Sequence, residues 1–308
     1  MTLSASNKKN KLKTGRYNLI FYSLMMIWPL LQFFVFYVLV KFNSVLYAFQ
    51  DYDLLTDKTV WTFDNMRNAF SMMTQRPLFR SMMSMSLLTW VIGLAIGTPL
   101  ALIFSYYIYK ALPASGFFRV MLFLPSVISA IVMTTIYQFF VERALPEIVR
   151  VTTGIKMQGL MGNPDTRFFA VMFYNIWVSF GVSVLMYSDG MNRISTEVVE
   201  SAHLDGATGL REFWYITVPL VYPTLSTFLI TGVAGIFLNQ ANLFSFYGNS
   251  APESLQTYGY YIYMQTEAAA SRAEYPILSA IGLYLTILAV PLTLVSKYCL
   301  ERFGPKEE

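Results

Sequence analysis

The sequence contains little charge, one histidine and one cysteine, and each shortage excludes a class of protein. Of its 308 residues, 22 are Lys or Arg and 18 are Asp or Glu, so that 13% are charged while 55% are hydrophobic. A soluble domain has about 25% charged residues, and so few charges do not cover a soluble surface of this size. Cys299 has no second cysteine for a disulfide, and one histidine with one cysteine does not build the usual zinc sites. We conclude that this is an integral membrane protein.

Signatures of nucleotide chemistry and of nucleic-acid binding are also missing from the sequence. A P-loop needs Gly-Lys-Ser/Thr to hold phosphates, and that tripeptide does not occur. The net charge of +4 is small, and no Lys/Arg cluster is interleaved with aromatic residues. Acidic residues are concentrated between the apolar runs, and they form no paired-carboxylate motif within a span. His203, the single histidine, is expected to be a contact residue and not a metal ligand or a base. The sequence therefore predicts no catalytic residue, no metal site and no nucleic-acid partner.

Long runs without charge indicate the membrane-spanning segments. A spanning helix needs about 20 mostly apolar residues, and only helices satisfy the backbone of such continuous runs in lipid. In the fifth of these runs, residues 213–252, we expect one helix centred on 224–243. Pro29, Pro99, Pro125 and Pro291 are expected to bend their helices. The sequence thus predicts an all-α membrane protein with six transmembrane helices, in the charge-free runs 17–40, 81–109, 120–141, 168–188, 213–252 and 275–296.

The distribution of basic residues predicts the orientation. The N-terminal tail, residues 1–16, carries basic residues and no acid, namely Lys8, Lys9, Lys11, Lys13 and Arg16. Because cytoplasmic segments are enriched in Lys and Arg, this tail is expected in the cytoplasm, and six crossings return the C-terminus there. The following apolar run is too long for a signal peptide and has no small-residue cleavage pattern, so we expect a retained first helix.

The predicted loop between the fourth and fifth helices, residues 194–223, has a distinct pattern. Ser195 is a suitable N-cap for a short helix, because its side chain accepts from a backbone N–H of the first turn. Gly206 and Gly209 allow the positive φ angles that end a helix and turn the chain. A second short amphipathic helix is expected at about 210–217, before Pro219.

This loop resembles the EAA motif of binding-protein-dependent ABC importer permeases of type I, which have the MetI-like fold. The family pattern is Glu-Ala-Ala, three residues, Gly, nine residues, Ile-x-Leu-Pro. Two positions depart from it, Ser201 for the middle Ala and Val218 for Leu. The matching segment contributes the predicted ATPase-coupling residues, which are Glu200, Ser201, Ala202, Asp205, Gly206, Ile216 and Pro219.

Three further segments are similar to parts of sugar permeases. Residues 119–129 resemble the start of the family's third helix. Residues 61–70 resemble the segment before the second helix, and residues 160–164 resemble a short element before the fourth. The resemblance covers about 60–303 and favours the carbohydrate branch, the maltose-type permeases. It implies a single permease domain over 17–308, with a cytoplasmic coupling helix between helices 4 and 5.

The resemblance also implies partners and a function. The chain would be the transport subunit of an importer in the cell membrane, in contact with lipid, and not an enzyme. ATP and Mg²⁺ would be bound by two separate cytoplasmic ATPase subunits, so that this chain itself needs no cofactor. A second, different permease subunit and an extracellular substrate-binding protein would complete the complex.

Polar residues within the predicted spans are candidates for contact with the substrate, because burying a polar group without a partner is costly. Asn175, Ser179 and Ser183 recur at helical spacing, and the family resemblance carries sugar contacts onto Gly232, Ile236 and Asn239, expected on one helix face. Interhelical hydrogen bonding is the alternative role for such residues. The predicted substrate-binding residues are Tyr137, Gln138, Asn175, Ser179, Asn239 and Gln240.

Other functions compete with sugar import. Importers of amino acids, peptides and other small polar solutes share the EAA motif. A secondary transporter would normally need ionisable groups within its spans, and these runs have none. A structural or sensor membrane protein would not need a motif with this spacing.

Overall fold

The computed structural model describes residues 21–53 and 58–305, and these residues are mostly helical, which confirms the predicted all-α fold class. Two short strands are β1 (Gln50–Asp53) and β2 (Lys58–Trp61). The helices in chain order are α1 (Phe21–Tyr47), α2 (Asp64–Gln75), α3 (Pro77–Tyr109), α4 (Ser115–Val127), α5 (Ala130–Thr153), α6 (Arg167–Met191), α7 (Thr196–Leu204), α8 (Leu210–Ala234), α9 (Leu243–Tyr247), α10 (Tyr258–Ala268) and α11 (Tyr275–Phe303).

Several of the described helices are long and apolar enough to cross a membrane. They are α1, α3, α6, α8 and α11 with the turn before it, five helices in the described residues. The pair α4 and α5 passes the same test but is bent by 106° at the break between them. Counting that pair as one span gives six, so the count of six crossings stays a prediction. The start of the first predicted span, at 17, lies outside the described residues.

The third predicted span, 120–141, differs from a single helix. The chain leaves the helix at Ile128 and Ser129, whose ψ angles of 144° and 135° are extended, and starts again at Ala130. Pro125 lies one turn earlier, and its missing N–H removes a hydrogen bond from the end of α4, which makes it easier to end the helix there. The predicted bend at Pro125 is therefore a break between two helices.

The fifth predicted span, 213–252, was expected to be one helix centred on 224–243, and this is wrong. The helix starts at Leu210 and ends at Ala234. Because it starts at Leu210, the prediction of a separate short helix at 210–217 is also wrong. After Gly235 the backbone is irregular as far as Asn242, with positive φ at Ala241 and Asn242. Irregular backbone inside a membrane bundle requires protein partners for its polar groups.

Wide π-helical turns accommodate three prolines within helices. The turns Gly93–Gly97, Phe140–Ala144 and Phe213–Thr217 lie in α3, α5 and α8. Each is followed two residues later by a proline, Pro99, Pro146 or Pro219. A proline ring clashes with the carbonyl four residues before it, and a wider turn moves that carbonyl away. These helices therefore continue past their prolines.

The chain forms two compact units, and the smaller comprises residues up to 70 together with 269–283. In it, β1 and β2 form an antiparallel hairpin with Gln50 opposite Trp61. Asn65 Nδ2 of α2 donates a hydrogen bond to Gln50 O at 2.8 Å. The side chains of α1 are exposed from Phe21 to Val45. Such a long apolar surface needs lipid or another protein to cover it.

The larger unit comprises 71–268 with 284–308, and two hydrophobic cores of the described residues lie in it. The first includes Tyr137, Tyr174 and Phe246, and the second includes Val184 and Phe213. α6 contributes to both, since Tyr174 lies in one and Val184 in the other. The part of α6 between the two cores carries Asn175, Ser179 and Ser183, the polar stripe predicted from the sequence.

Candidate functional site

The loop between α6 and α8 folds into a hairpin, residues 195–209, which we call the loop hairpin. Ser195 Oγ accepts a hydrogen bond from Val198 N at 3.4 Å, as expected of an N-cap for α7. Gly206 and Gly209 have φ angles of 79° and 57°, as the sequence predicted. Left-handed φ is costly for other residues, so the two glycines set the shape of the turn.

The loop hairpin presents a polar and largely uncovered surface. Glu200, Ser201, Asp205 and Gly206 are exposed, and Ala202 is the buried residue of α7. Neither Glu200 nor Asp205 forms an ion pair with a described residue. The two carboxylates are thus free to meet another protein.

The last two predicted coupling residues lie in α8. Ile216 belongs to the π-helical turn Phe213–Thr217, and Pro219 follows that turn. Both are half-buried. They join the loop hairpin to the long helix rather than contribute to the exposed surface.

Two adjoining cavities of about 280 and 350 Å³ lie among α3, α6, α8 and the irregular segment after it. They share Thr89, Gly93, Ser179 and Asn239. Ligand pockets are about 300–1,000 Å³, so the larger cavity falls within this range and the smaller lies just below it. The described residues that line them include no Asp, Glu, Lys, Arg or His. These cavities therefore suit a neutral polar ligand.

An amide network holds the irregular segment against α6. Asn175 Nδ2 donates to Ala241 O at 3.0 Å, and Asn242 Nδ2 donates to Asn175 Oδ1 at 2.8 Å. Asn239 Oδ1 accepts from Ala241 N at 2.8 Å, and Thr257 Oγ1 donates to Asn239 O at 2.7 Å. The chain leaves the helix at Gly235 because these side chains satisfy its backbone groups.

The predicted substrate-binding residues do not all lie at the cavities. Asn175, Ser179 and Asn239 line them. Gln138 and Gln240 are half-buried, and neither is a cavity-lining residue. Tyr137 is buried in the first core, where its hydroxyl donates to Ala170 O at 2.8 Å.

The helix face expected for Gly232, Ile236 and Asn239 does not form, because Ile236 and Asn239 lie beyond the end of α8. All three nevertheless line the larger cavity. Asn239 Nδ2 has no hydrogen-bond partner among the described residues, which leaves its two donors for a ligand. Ser179 Oγ donates to Asn175 O and retains its acceptor capacity.

Sequence reasoning missed the contribution of α3 to these cavities. Thr89 and Gly93 line both cavities, and Trp90 lines the larger one. A Cβ added at Gly232 would lie 3.4 Å from Trp90 Nε1. The feature of the sequence that could have indicated this contribution is a threonine and a glycine within an apolar run. The described residues contain no group of three or more His, Cys, Asp or Glu able to hold a metal ion.

Comparison with known proteins identifies the family. Residues 92–307 match the family described as the binding-protein-dependent transport system inner membrane component. The multiple sugar-binding transport system permease protein MsmF of Streptococcus mutans is 24% identical over 266 residues, which cover 85% of this chain and 89% of MsmF. The arabinooligosaccharides transport system permease protein AraP of Bacillus subtilis is 26% identical over 211 residues, or 67% of this chain and 66% of AraP.

A solved structure shares the fold. It is the crystal structure of a bacterial ABC transporter involved in the import of the acidic polysaccharide alginate. One of its chains matches with a TM-score of 0.78 and 19% identity, over 95% of this chain and 99% of that one. The family match, which spans most of the sequence, confirms the resemblance carried by the EAA-like motif. The chain therefore belongs to the family of inner membrane components of binding-protein-dependent transport systems.

Proposed function

We propose that this chain is the transmembrane permease subunit of an ATP-driven ABC importer for a neutral sugar or oligosaccharide. The observation that carries the proposal is the pair of cavities lined by uncharged hydrogen-bonding groups, in the same unit as the exposed loop hairpin. Hydroxyl groups both donate and accept, and they match the free Asn239 amide and the Ser179 hydroxyl. The names of MsmF and AraP support the same class of substrate.

The substrate class follows from the charge of the cavities. An anionic solute would need cationic or other strongly donating partners in a buried site. Importers of other polar solutes remain the alternative function, and the alginate transporter shows that this fold also serves an acidic substrate. The uncharged lining favours a neutral solute for this chain.

In the proposed complex, the loop hairpin docks a cytoplasmic ATPase. Two ATPase subunits bind ATP and Mg²⁺, a second and different permease subunit completes the membrane part, and an extracellular protein delivers the solute. The chain lies in the cell membrane as one permease domain over 17–308, with both termini in the cytoplasm. Lipid and the second permease cover the exposed surface of α1.

The proposed mechanism is alternating access. Closure of the ATPase pair displaces the loop hairpin, and the bundle opens its cavities toward the loaded binding protein. Both ATP and the loaded binding protein must prefer the same conformation of the bundle, because a ligand that binds two states equally shifts neither.

Uptake in proteoliposomes that contain the full complex tests this function. We expect ATP-dependent uptake of one neutral oligosaccharide from a panel of radiolabelled neutral sugars, uronic-acid oligosaccharides, amino acids and peptides. Uptake of an acidic oligosaccharide, an amino acid or a peptide in place of a neutral sugar would contradict the proposed substrate. Uptake that continues without ATP would indicate a secondary transporter instead.

The variant Asn239→Asp makes this test specific to the cavities. Aspartate keeps the acceptor for Ala241 N but removes the free amide donors, so uptake of the neutral sugar should fall about five- to tenfold, as the loss of a hydrogen bond predicts. Asn249→Asp is the matched control, because Asn249 is exposed in a loop away from the cavities. Equal uptake by both variants would remove Asn239 from the substrate path.

A further inference from the structure

Glu212 is a buried carboxylate that joins three segments of the larger unit. It lies in the first turn of α8 with 2% of its side chain exposed. Its Oε1 lies 2.5 Å from Lys110 Nζ, and its Oε2 lies 2.9 Å from His203 Nε2. Lys110 directly follows α3, and His203 belongs to α7 of the loop hairpin. One acidic side chain thus connects α3, α7 and α8.

The other ion pairs of the described residues are of a different kind. Arg150–Glu147 and Lys297–Glu301 each join residues within one helix, and Arg193–Asp189 joins α6 to the turn that directly follows it. All three pairs are exposed and local in sequence. Exposed pairs of this type contribute little to stability. A buried carboxylate is costly to desolvate and is tolerated only with good partners. The position of Glu212 between segments therefore calls for a role beyond local helix stability.

Among the described residues, few other side-chain contacts attach the loop hairpin to the bundle. Ala202 is the buried residue of α7, while Leu204 at its end is 90% exposed. Tyr106 of α3 donates a hydrogen bond from its hydroxyl to Gly209 O at 3.2 Å, and its ring lies 5.1 Å from that of Phe213. The Lys110 ammonium also lies 5.7 Å from the centre of the Tyr106 ring. Tyr106 and Lys110, at the end of α3, thus both lie where the hairpin and the start of α8 meet this helix.

α3 leads from this attachment to the cavities. Thr89 and Gly93 of the same helix line both cavities, and Trp90 lines the larger. A displacement of α7 that is passed through His203, Glu212 and Lys110 moves the end of the helix that forms the cavity wall. A buried carboxylate that forms an ion pair with Lys110 and a hydrogen bond with His203 suits this task better than an apolar contact, which allows sliding.

We propose that Glu212 is the positioning residue that transmits movement of the loop hairpin to α3, and thereby couples ATP hydrolysis to the opening of the cavities. The proposal rests on the proposed function, because it assumes that an ATPase moves the hairpin. It concerns one of the nine positions that the EAA-like motif leaves unspecified between Gly206 and Ile216, and Glu212 itself is buried and lines neither cavity.

The test uses the complete complex in proteoliposomes and compares Glu212→Gln with the wild type. Glutamine keeps the shape of the side chain and removes its charge. We expect the solute transported per ATP hydrolysed to fall at least fivefold, the lower limit of typical coupling between sites. His203→Gln is the second variant, because His203 is 44% exposed and its replacement disturbs packing less. It should lower the same ratio.

Further measurements separate coupling from a structural role. The double variant Glu212→Gln/His203→Gln should be no worse than Glu212→Gln alone, since residues of one network are not additive. Glu301→Gln, which breaks an exposed pair in α11, should leave uptake and ATP hydrolysis at wild-type values. Loss of folded complex in Glu212→Gln together with a normal ratio in His203→Gln would overturn the proposal in favour of a structural role.

The same experiment distinguishes this inference from the proposed function. Wild-type uptake that does not depend on ATP would contradict the proposed function itself. ATP-dependent wild-type uptake with an unchanged ratio of solute to ATP in Glu212→Gln would overturn only the positioning role of Glu212.

Discussion

Replacing Gly181 by alanine is expected to cost this protein much of its stability. A Cβ atom at Gly181 of α6 would overlap the carbonyl oxygen of Leu122 in α4, and it would lie 3.0 Å from Phe123 N. These are backbone atoms, so the two helices must move apart and lose packing along their contact. Overpacking of this kind costs about 3 kcal/mol, which exceeds the gain of about 1 kcal/mol for alanine over glycine in a helix.

The measurement is thermal unfolding of the purified protein in detergent, together with the fraction that elutes as a single species. Gly97→Ala is the matched control, because Gly97 of α3 also faces α6, but its Cβ would meet only Ile176 Cγ2 at 4.0 Å. We expect Gly97→Ala to unfold near the wild-type temperature and Gly181→Ala well below it. Equal unfolding temperatures would show that α4 does not pack on α6 as described.

The second large effect is expected at the loop hairpin, where Gly206→Val should lower ATP-dependent uptake more than tenfold. A left-handed φ such as the 79° of Gly206 costs an L-residue about 1–2 kcal/mol, and valine, which is β-branched, is strained further. Because a Cβ there meets no other atom within 4 Å, the strain acts on the backbone alone. The turn should then change shape and displace the surface that meets the ATPase.

Controls in the same chain make this prediction specific. Gly154 has a φ of 73° and open space around its Cβ position, so Gly154→Val brings the same strain to a different loop and should leave uptake largely intact. Glu200→Ala should also uncouple uptake from ATP hydrolysis, whereas Glu197→Ala, one turn earlier, should not. Normal uptake and normal binding-protein-stimulated ATP hydrolysis in both Gly206→Val and Glu200→Ala would defeat the coupling role.

The apolar runs predicted most of the fold because the membrane imposes one strong rule on the backbone. The runs 81–109 and 168–188 correspond to the helices Pro77–Tyr109 and Arg167–Met191. The same rule failed at 213–252, because hydropathy does not distinguish a lipid-facing helix from irregular backbone covered by protein. Gly235 ends that helix, and Asn175, whose amide binds Ala241 and Asn242 of the following segment, belongs to a distant part of the sequence.

The candidate site was predictable only in part for a related reason. The exposed loop hairpin is a local structure, so the N-cap at Ser195 and the positive φ of Gly206 could be derived from nearby residues. Glu212 could not, because its partners Lys110 and His203 lie on other helices and only the tertiary fold brings them together. Asn175 and Asn239 were identified as polar residues in apolar runs, but their hydrogen-bond partners depend on the end of α8.

We claim that the loop hairpin meets an ATP-hydrolysing subunit, and crosslinking from position 201 probes that contact. Cys299 is exposed and is the only cysteine, so Cys299→Ser gives a background in which one introduced thiol carries a photoreactive crosslinker. With Ser201→Cys in the assembled complex, we predict adducts with the ATPase subunit that vary with bound nucleotide, and none with Ser250→Cys from an exposed loop beyond α9. Absence of ATPase adducts from position 201, or equal adducts from position 250, would contradict the claim.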